Sequence, residues 1–286
     1  MNERAALGLI GDALPDAGDD CAVVGSTVVT TDMLHETTDF PAGTTRYTAG
    51  WRSVGASLSD VAAMGAEATA AVAVYGAPSF EEQELRDFLR GAREVCEATG
   101  ARYVGGDLDG HEEFTVATTA LGETDAPVAR DGASPGEAVC VTGRLGRSAG
   151  GFRLFESDPE RANELFRFEP RVAAGRAVAP HASAMMDSSD GVARSLHQLS
   201  EASDCGFAVE YDRLPVHESV ETVATDEADA RELAVHFGED FELVFTTDDP
   251  ERVRAASPVP VSVVGEVTET GVEMDGDPLP DRGYTH

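Results

Sequence analysis

Tyr47, Trp51, Val54, Leu58 and Val61 recur at spacings of four, three, four and three residues, the repeat of an amphipathic helix. Asp60 falls near its C-terminal end. Two strand candidates flank this helix. Val28-Val29-Thr30-Thr31 is a β-branched run that stops at Asp32, and Ala71 to Tyr75 is stopped by Gly76 and Pro78. Ser79 followed three residues later by Glu82 has the form of a capping box, and Leu85, Phe88, Leu89, Ala92 and Val95 carry a second helix to Gly100. Tyr103-Val104 then enters Gly105-Gly106-Asp107, and Thr115 to Leu121 alternates as another strand. Asp125 to Glu137 carries two prolines, two glycines and no period, which places a domain boundary there and divides the chain into residues 1–135 and 136–286.

The second half opens with the strand Ala138-Val139-Cys140-Val141-Thr142, which runs into the glycine-rich Gly143 to Gly151. A strand at Ala184-Met185-Met186 ends on Asp187-Ser188-Ser189-Asp190-Gly191, and Val192 to Ala202 reads as a helix. Phe207 to Tyr211, Phe241 to Thr246 and Val259 to Val264 read as strands. Strands and helices mix in both halves without a regular parallel order and without a solenoid repeat, so the pattern predicts an α+β chain of two domains.

Composition narrows the chemistry. Over 286 residues, 53 acidic side chains oppose 21 basic ones, a formal charge of −32, far beyond the roughly 2–8 charges of an ordinary small domain. Such a surface repels nucleic acid and anionic lipid. Lysine does not occur, which excludes a Walker A phosphate loop. The 42% hydrophobic share is that of a folded protein, and the acidity without lysine predicts adaptation to molar salt, where charge is screened over about 3 Å. No apolar run reaches the roughly 18 residues of a membrane span, and Met1-Asn2-Glu3-Arg4 resembles neither a signal nor a transit peptide; the expectation is a cytoplasmic protein. Cys21, Cys96, Cys140 and Cys205 form no C-x-x-C pair and read as buried small hydrophobes.

The informative pattern is where carboxylates interrupt apolar elements: Asp20, Asp32, Asp60, Asp107, Asp187 and Asp190. Any one of these reads as a cap or turn residue. As a set they predict convergence on divalent cations, because strand-end carboxylates are costly unless paired or metal-bound, and an all-oxygen ligand set suits Mg2+ beside phosphate. Gly105-Gly106 and Gly143, Gly146, Gly150 and Gly151 allow backbone N–H groups to approach an anion, although a tight strand-to-helix connection accounts for the second group equally well. Arg130 is a candidate polyphosphate contact or a solvated loop side chain.

The segments Gly18-Asp19-Asp20-Cys21-Ala22-Val23, Thr30-Thr31-Asp32, Leu58-Ser59-Asp60-Val61-Ala62-Ala63-Met64-Gly65-Ala66, Gly105-Gly106-Asp107, Asp187-Ser188-Ser189-Asp190-Gly191 and Gly238-Glu239-Asp240-Phe241-Glu242-Leu243 occur in this order. Together they resemble the thiamine-monophosphate kinases, within the wider superfamily of aminoimidazole ribonucleotide synthetase (the PurM-like fold), and the likeness extends to Gly283-Tyr284. The Ser-Asp-x-Ala-Ala-Met-Gly-Ala stretch is shared across that superfamily; Gly-Glu-Asp-Phe-Glu-Leu is more specific to the kinases. The resemblance implies a two-domain α+β homodimer joined through its N-terminal domains. It further implies transfer of the γ-phosphoryl of ATP to thiamine monophosphate, with Mg2+, in a cleft between the domains. By motif position, Asp20, Thr30, Thr31, Asp32, Asp60, Asp107, Asp187 and Asp190 become Mg2+ ligands. Asp60, Asp107, Asp187 and Asp190 are the catalytic set, and Gly106, Asp107, Arg130 and Ser189 contact ATP.

Glu239 and Tyr284 match positions that hold the thiamine part. Asp39 stands where the family usually carries histidine: it could meet the aminopyrimidine or the thiazolium, or cap the following segment, and His35 could take the histidine's place. Competing readings are another ATP-using member of the superfamily, of the hydrogenase-maturation or selenophosphate synthetase kind, and a non-catalytic acidic cation-binding protein.

Overall fold

The strand read at Thr115 to Leu121 belongs to a five-stranded sheet in the computed structural model of the chain, which describes residues 10, 13–14 and 17–284. The opening Met1-Asn2-Glu3-Arg4 lies outside the described residues. Strands β1 (Ala22–Val24), β2 (Thr27–His35), β3 (Glu67–Ala77), β4 (Arg102–Gly110) and β5 (Thr115–Glu123) are arranged β1-β2-β5-β3-β4. All neighbours are antiparallel except β3 and β4. Helices α1 (Arg46–Ala63) and α2 (Glu82–Thr99) cover one face. Thr45 opens α1 by accepting the Thr48 N–H, and Gly100 closes α2 in the left-handed conformation. A Cβ at Gly50 would fall 2.2 Å from the Phe88 carbonyl oxygen and one at Gly91 2.0 Å from that of Tyr47, so glycine on each helix lets the two backbones touch.

The second sheet holds β6 (Ala138–Thr142), β7 (Ala184–Asp187), β8 (Gly206–Val209), β9 (Leu243–Thr247), β10 (Val261–Thr268), β11 (Val272–Met274) and β12 (Asp277–Pro278). Its order is β12-β11-β8-β10-β6-β9-β7. Helices α3 (Arg147–Leu154) and α4 (Val192–Ser203) follow β6 and β7. Cys140, Met185, Leu243 and Phe245 of this sheet join the same core as Val54, Leu58 and Val61 of α1, so α1 packs against both sheets. Each of those three α1 side chains is fully buried and contributes about 1.5–3 kcal/mol by leaving water. The two halves thus share a continuous core along α1, and Asp20, Asp60 and Asp187 lie at that junction. Among the described residues no helix is long and apolar enough to cross a membrane.

The α+β class and the chain order of the elements agree with the sequence reading; several local expectations do not. β2 passes through Asp32 to His35, and β4 passes through Asp107 to Gly110, so these aspartates lie inside ladders. Ladder pairing with β5 and β3 carries both strands onward. The Ser79/Glu82 capping box does not form: α2 begins at Glu82 with Glu81 as an N-cap without a side-chain bond, and Glu82 and Glu84 supply negative charge in the first turn. The strand expected from Phe241 begins at Leu243, because Phe241 has φ +54°. Gly150 and Gly151 lie within α3, pressed against Ser219 and against Leu165 and Phe166.

Candidate functional site

Three carboxylates from three parts of the chain meet at the junction. Asp20 follows the Gly18 turn, Asp60 sits on the last turns of α1, and Asp187 ends β7. One oxygen from each lies within 4.8 Å of the others. Arg130 grips Asp20 with two bonds, Nη2 to Oδ1 at 2.8 Å and Nε to Oδ2 at 3.3 Å, while its N–H donates to Asp19 Oδ1 at 2.8 Å. Thr30 Oγ1 donates to Asp60 Oδ2 at 2.6 Å. Asp187 is 2% exposed, and among the described residues its Oδ2 has no hydrogen-bond partner.

Electrostatics follow from that crowding. Burial, then repulsion by Asp187 and Asp20, raises the Asp60 carboxyl well above the usual carboxylate range. Burial, then Asp20, pushes Asp187 up to about 8. The Cys21 thiol is driven upward by burial and then by the same carboxylates, so it is a neutral packing group; all four cysteines are free and buried. An all-oxygen donor set with an orphaned buried oxygen and like charges in contact fits a hard divalent cation such as Mg2+.

The remaining predicted ligands divide by strand parity. Asp32 shares the inward face of β2 with Thr30 and is close enough to raise the Asp60 carboxyl by repulsion; its Oδ1 accepts the Met33 N–H. Asp190 adds its charge to that felt by Asp187. Thr31 points the other way and donates to Thr118 O at 2.8 Å. Asp107 is aligned across the sheet with Val74, Ala117 and Met33, on the outward face, three strand spacings or roughly 14 Å from β2. Within one chain it does not reach the trio. Gly106 lines an apolar cavity of about 430 Å³ with Tyr75, Phe88, Leu89 and Tyr103; a Cβ there would fall 1.8 Å from Ala73 O. Ser189 is placed by its carbonyl, which accepts the Glu239 N–H at 2.5 Å.

The Gly143 to Gly151 stretch is a strand-to-helix connection. The N–H groups of Gly146 and Ser148 at the start of α3 donate to Asp240, the latter at 2.9 Å, so an internal carboxylate takes the place an anion would need. Burial raises Asp240 to about 7 against those two bonds.

A second cluster lies farther along α1. Tyr284 donates its hydroxyl to Thr38 O at 3.2 Å and its ring stands 5.6 Å from that of Phe237. Burial, then the charges of Glu239 and Asp39, pushes its phenol up to about 12. Glu239 is ion-paired with Arg52 of α1. Asp39 caps its own short turn, accepting the His35 N–H and the Thr38 hydroxyl, both at 2.7 Å. His35 does not take up a place beside it, because its ring, on the outward parity of β2, meets Thr115 Oγ1 at 3.0 Å. Arg52 was not legible as a site residue: a single arginine one position from Trp51 in a helical repeat reads as solvated.

Comparison with known proteins gives the family. The family models described as AIR synthase related protein, N-terminal domain and C-terminal domain, match residues 18–124 and 134–275. A thiamine-monophosphate kinase of Halobacterium salinarum is 63% identical over 292 residues, covering 100% of both chains. That of Methanospirillum hungatei is 40% identical, covering 100% of this chain and 99% of the relative. The solved structure of AaThiL complexed with AMPPCP and TMP superposes with a TM-score of 0.90 at 28% identity, covering 99% of this chain and 96% of that one. With a full-length relative so similar and both family domains in order along the junction just described, the chain belongs to the thiamine-monophosphate kinase family.

Proposed function

We propose that this protein phosphorylates thiamine monophosphate to thiamine diphosphate with ATP, using Mg2+ held by the junction carboxylates. The carrying observation is one of placement along a single helix. Asp60 marks the carboxylate trio, and Arg52, two turns earlier, marks the cluster of Glu239, Asp39 and Tyr284. Eight residues of α-helix separate the two by about 12 Å, which suits a substrate with a phosphate at one end and a cationic aromatic system at the other.

At the phosphate end, Asp20, Asp60 and Asp187 with Thr30, Asp32 and Asp190 would hold the ions, Arg130 fixing Asp20 and Thr30 fixing Asp60. Bound Mg2+ supplies neutralisation of two phosphorylated anions that otherwise repel. The acceptor phosphate, with a second pKa of about 6, already carries its attacking oxygen ionised at neutral pH, so attack in line on the γ-phosphorus needs no general base, and the site is built of acids. Arg130 and Ser189 would contact ATP at this site, and Gly106, on β4 beside Asp107, would join them only from a partner chain. Glu239 and Asp39 oppose the thiazolium charge, and the Tyr284 ring can lie against it.

Thr31 and Asp107 face outward, where Val24, Met33, Val74 and Val104 are exposed. A second copy packed on that apolar face of the 1–135 domain would cover it and bring a partner's Asp107 to this chain's β2; the 136–286 domain supplies Asp187, Asp190 and the thiamine contacts. The protein is further proposed to work as a cytoplasmic homodimer in high salt. Incubation with ATP, Mg2+ and thiamine monophosphate in molar KCl should yield thiamine diphosphate and ADP in equal amounts. ADP without thiamine diphosphate would reject the acceptor.

A further inference from the structure

We propose that Arg52 is a positioning residue that presents Glu239 to the cationic part of the substrate, an inference resting on the function proposed above. Arg52 is 2% exposed within a helix whose neighbours are small or apolar. Its guanidinium lies 3.6 Å above the Phe166 ring, with Phe168 and Phe241 at 5.3 and 5.7 Å. Nη1 donates to Phe166 O and to Ser148 Oγ, the latter at 3.3 Å. Nη2 donates to the Glu239 carbonyl at 3.4 Å and to Glu239 Oε2. The arginine is therefore fixed from several sides before it meets the Glu239 carboxylate.

Glu239 is held in a conformation that it would not adopt alone. Its φ of +62° is left-handed and that of Phe241, two residues on, is +54°, a strain that persists only where surroundings over-determine it. The Glu239 N–H is tied to Ser189 O, and its carbonyl accepts the Ser148 hydroxyl, both at 2.5 Å. Arg52 occupies Oε2, whereas among the described residues Oε1 accepts no hydrogen bond. One oxygen is anchored and the other is left for a ligand, beside Tyr284 and Asp39, whose charges and ring share the same space. The planar fork spans Phe166 O and Glu239 together; an ammonium offers one point charge and cannot do both.

Steady-state kinetics of wild type, Arg52→Gln, Arg52→Lys, Glu239→Gln and the Arg52→Gln/Glu239→Gln pair test this, each with one substrate saturating and the other varied. Arg52→Gln should raise KM for thiamine monophosphate about tenfold or more, with KM for ATP and kcat within about threefold, because the metal end is two turns away. Glu239→Gln should do the same, and the double variant should exceed it by no more than about twofold, since Arg52 acts through Glu239. Arg52→Lys should fall between wild type and Arg52→Gln; should Arg52→Gln not fold, the lysine variant's selective rise in KM carries the test.

An unchanged KM for thiamine monophosphate, an equal rise for ATP, or a full additional penalty in the double variant would overturn the proposal. Failure of the underlying function would show separately, as wild-type protein forming no thiamine diphosphate.

Discussion

Replacing Asp187 by asparagine should abolish turnover and at the same time make the metal-free protein more stable. The side chain is buried, one of its oxygens has no partner among the described residues, and oxygens of Asp20 and Asp60 lie no more than 4.8 Å away. At an effective dielectric of about 20, two unit charges at that separation repel by roughly 3–4 kcal/mol. The sign depends on pH. The folded carboxyl titrates near 8 and the unfolded one near 3.9, so its stabilising protonation is complete below about pH 4 and is lost as pH rises to about 8.

Asparagine escapes that loss. Its advantage should therefore be small at pH 5 and reach a few kcal/mol at pH 8. For a chain of this length the unfolding entropy is about 0.6 kcal/mol/K, so 3 kcal/mol corresponds to about 5 °C in Tm. Calorimetry in molar KCl with EDTA, at both pH values, reads this directly. An Asp187→Asn variant that melts at or below the wild-type temperature at pH 8, or an advantage independent of pH, would refute the reasoning.

Asp60→Ala and Asp107→Ala should each be inactive with the fold intact, yet a mixture of the two dissociated and reassociated should recover activity. Half of the dimers would be mixed, with one intact site of two, giving about a quarter of wild-type turnover; no recovery would place Asp107 outside the partner's site. Lowering KCl from molar to millimolar should destabilise the protein, since a charge of −32 is then poorly screened, and a melting temperature unchanged by salt would contradict this.

Much of the site was legible because chemistry at element ends leaves a local mark. Asp60 on the Tyr47 to Val61 repeat, Asp187 after Ala184-Met185-Met186 and Asp20 in a Gly-Asp-Asp turn each break an apolar pattern at a place where an isolated charge is costly. What one sequence cannot give is the face of a strand or the partner across a fold. Thr30 and Thr31 are identical letters, and only the β2–β5 register separates the one bonded to Asp60 from the one turned outward. Gly146 could have opened a phosphate loop; Asp240, ninety-four residues later, fills that position instead. Arg52 depends on Glu239, 187 residues away, and no periodicity carries such a pairing. Ser79 misled because a capping box is a local pattern that the actual start of α2 at Glu82 leaves outside the helix.

The buried carboxyls keep their protons until a divalent cation takes their place. Titrating the metal-free protein with Mg2+ at pH 7 by calorimetry, in buffers of different ionisation enthalpy, counts the protons released. Release of about one proton or more is expected, falling as pH rises and reduced in Asp187→Asn. Binding of Mg2+ with no proton release at pH 7, or release unaltered by Asp187→Asn, would contradict it.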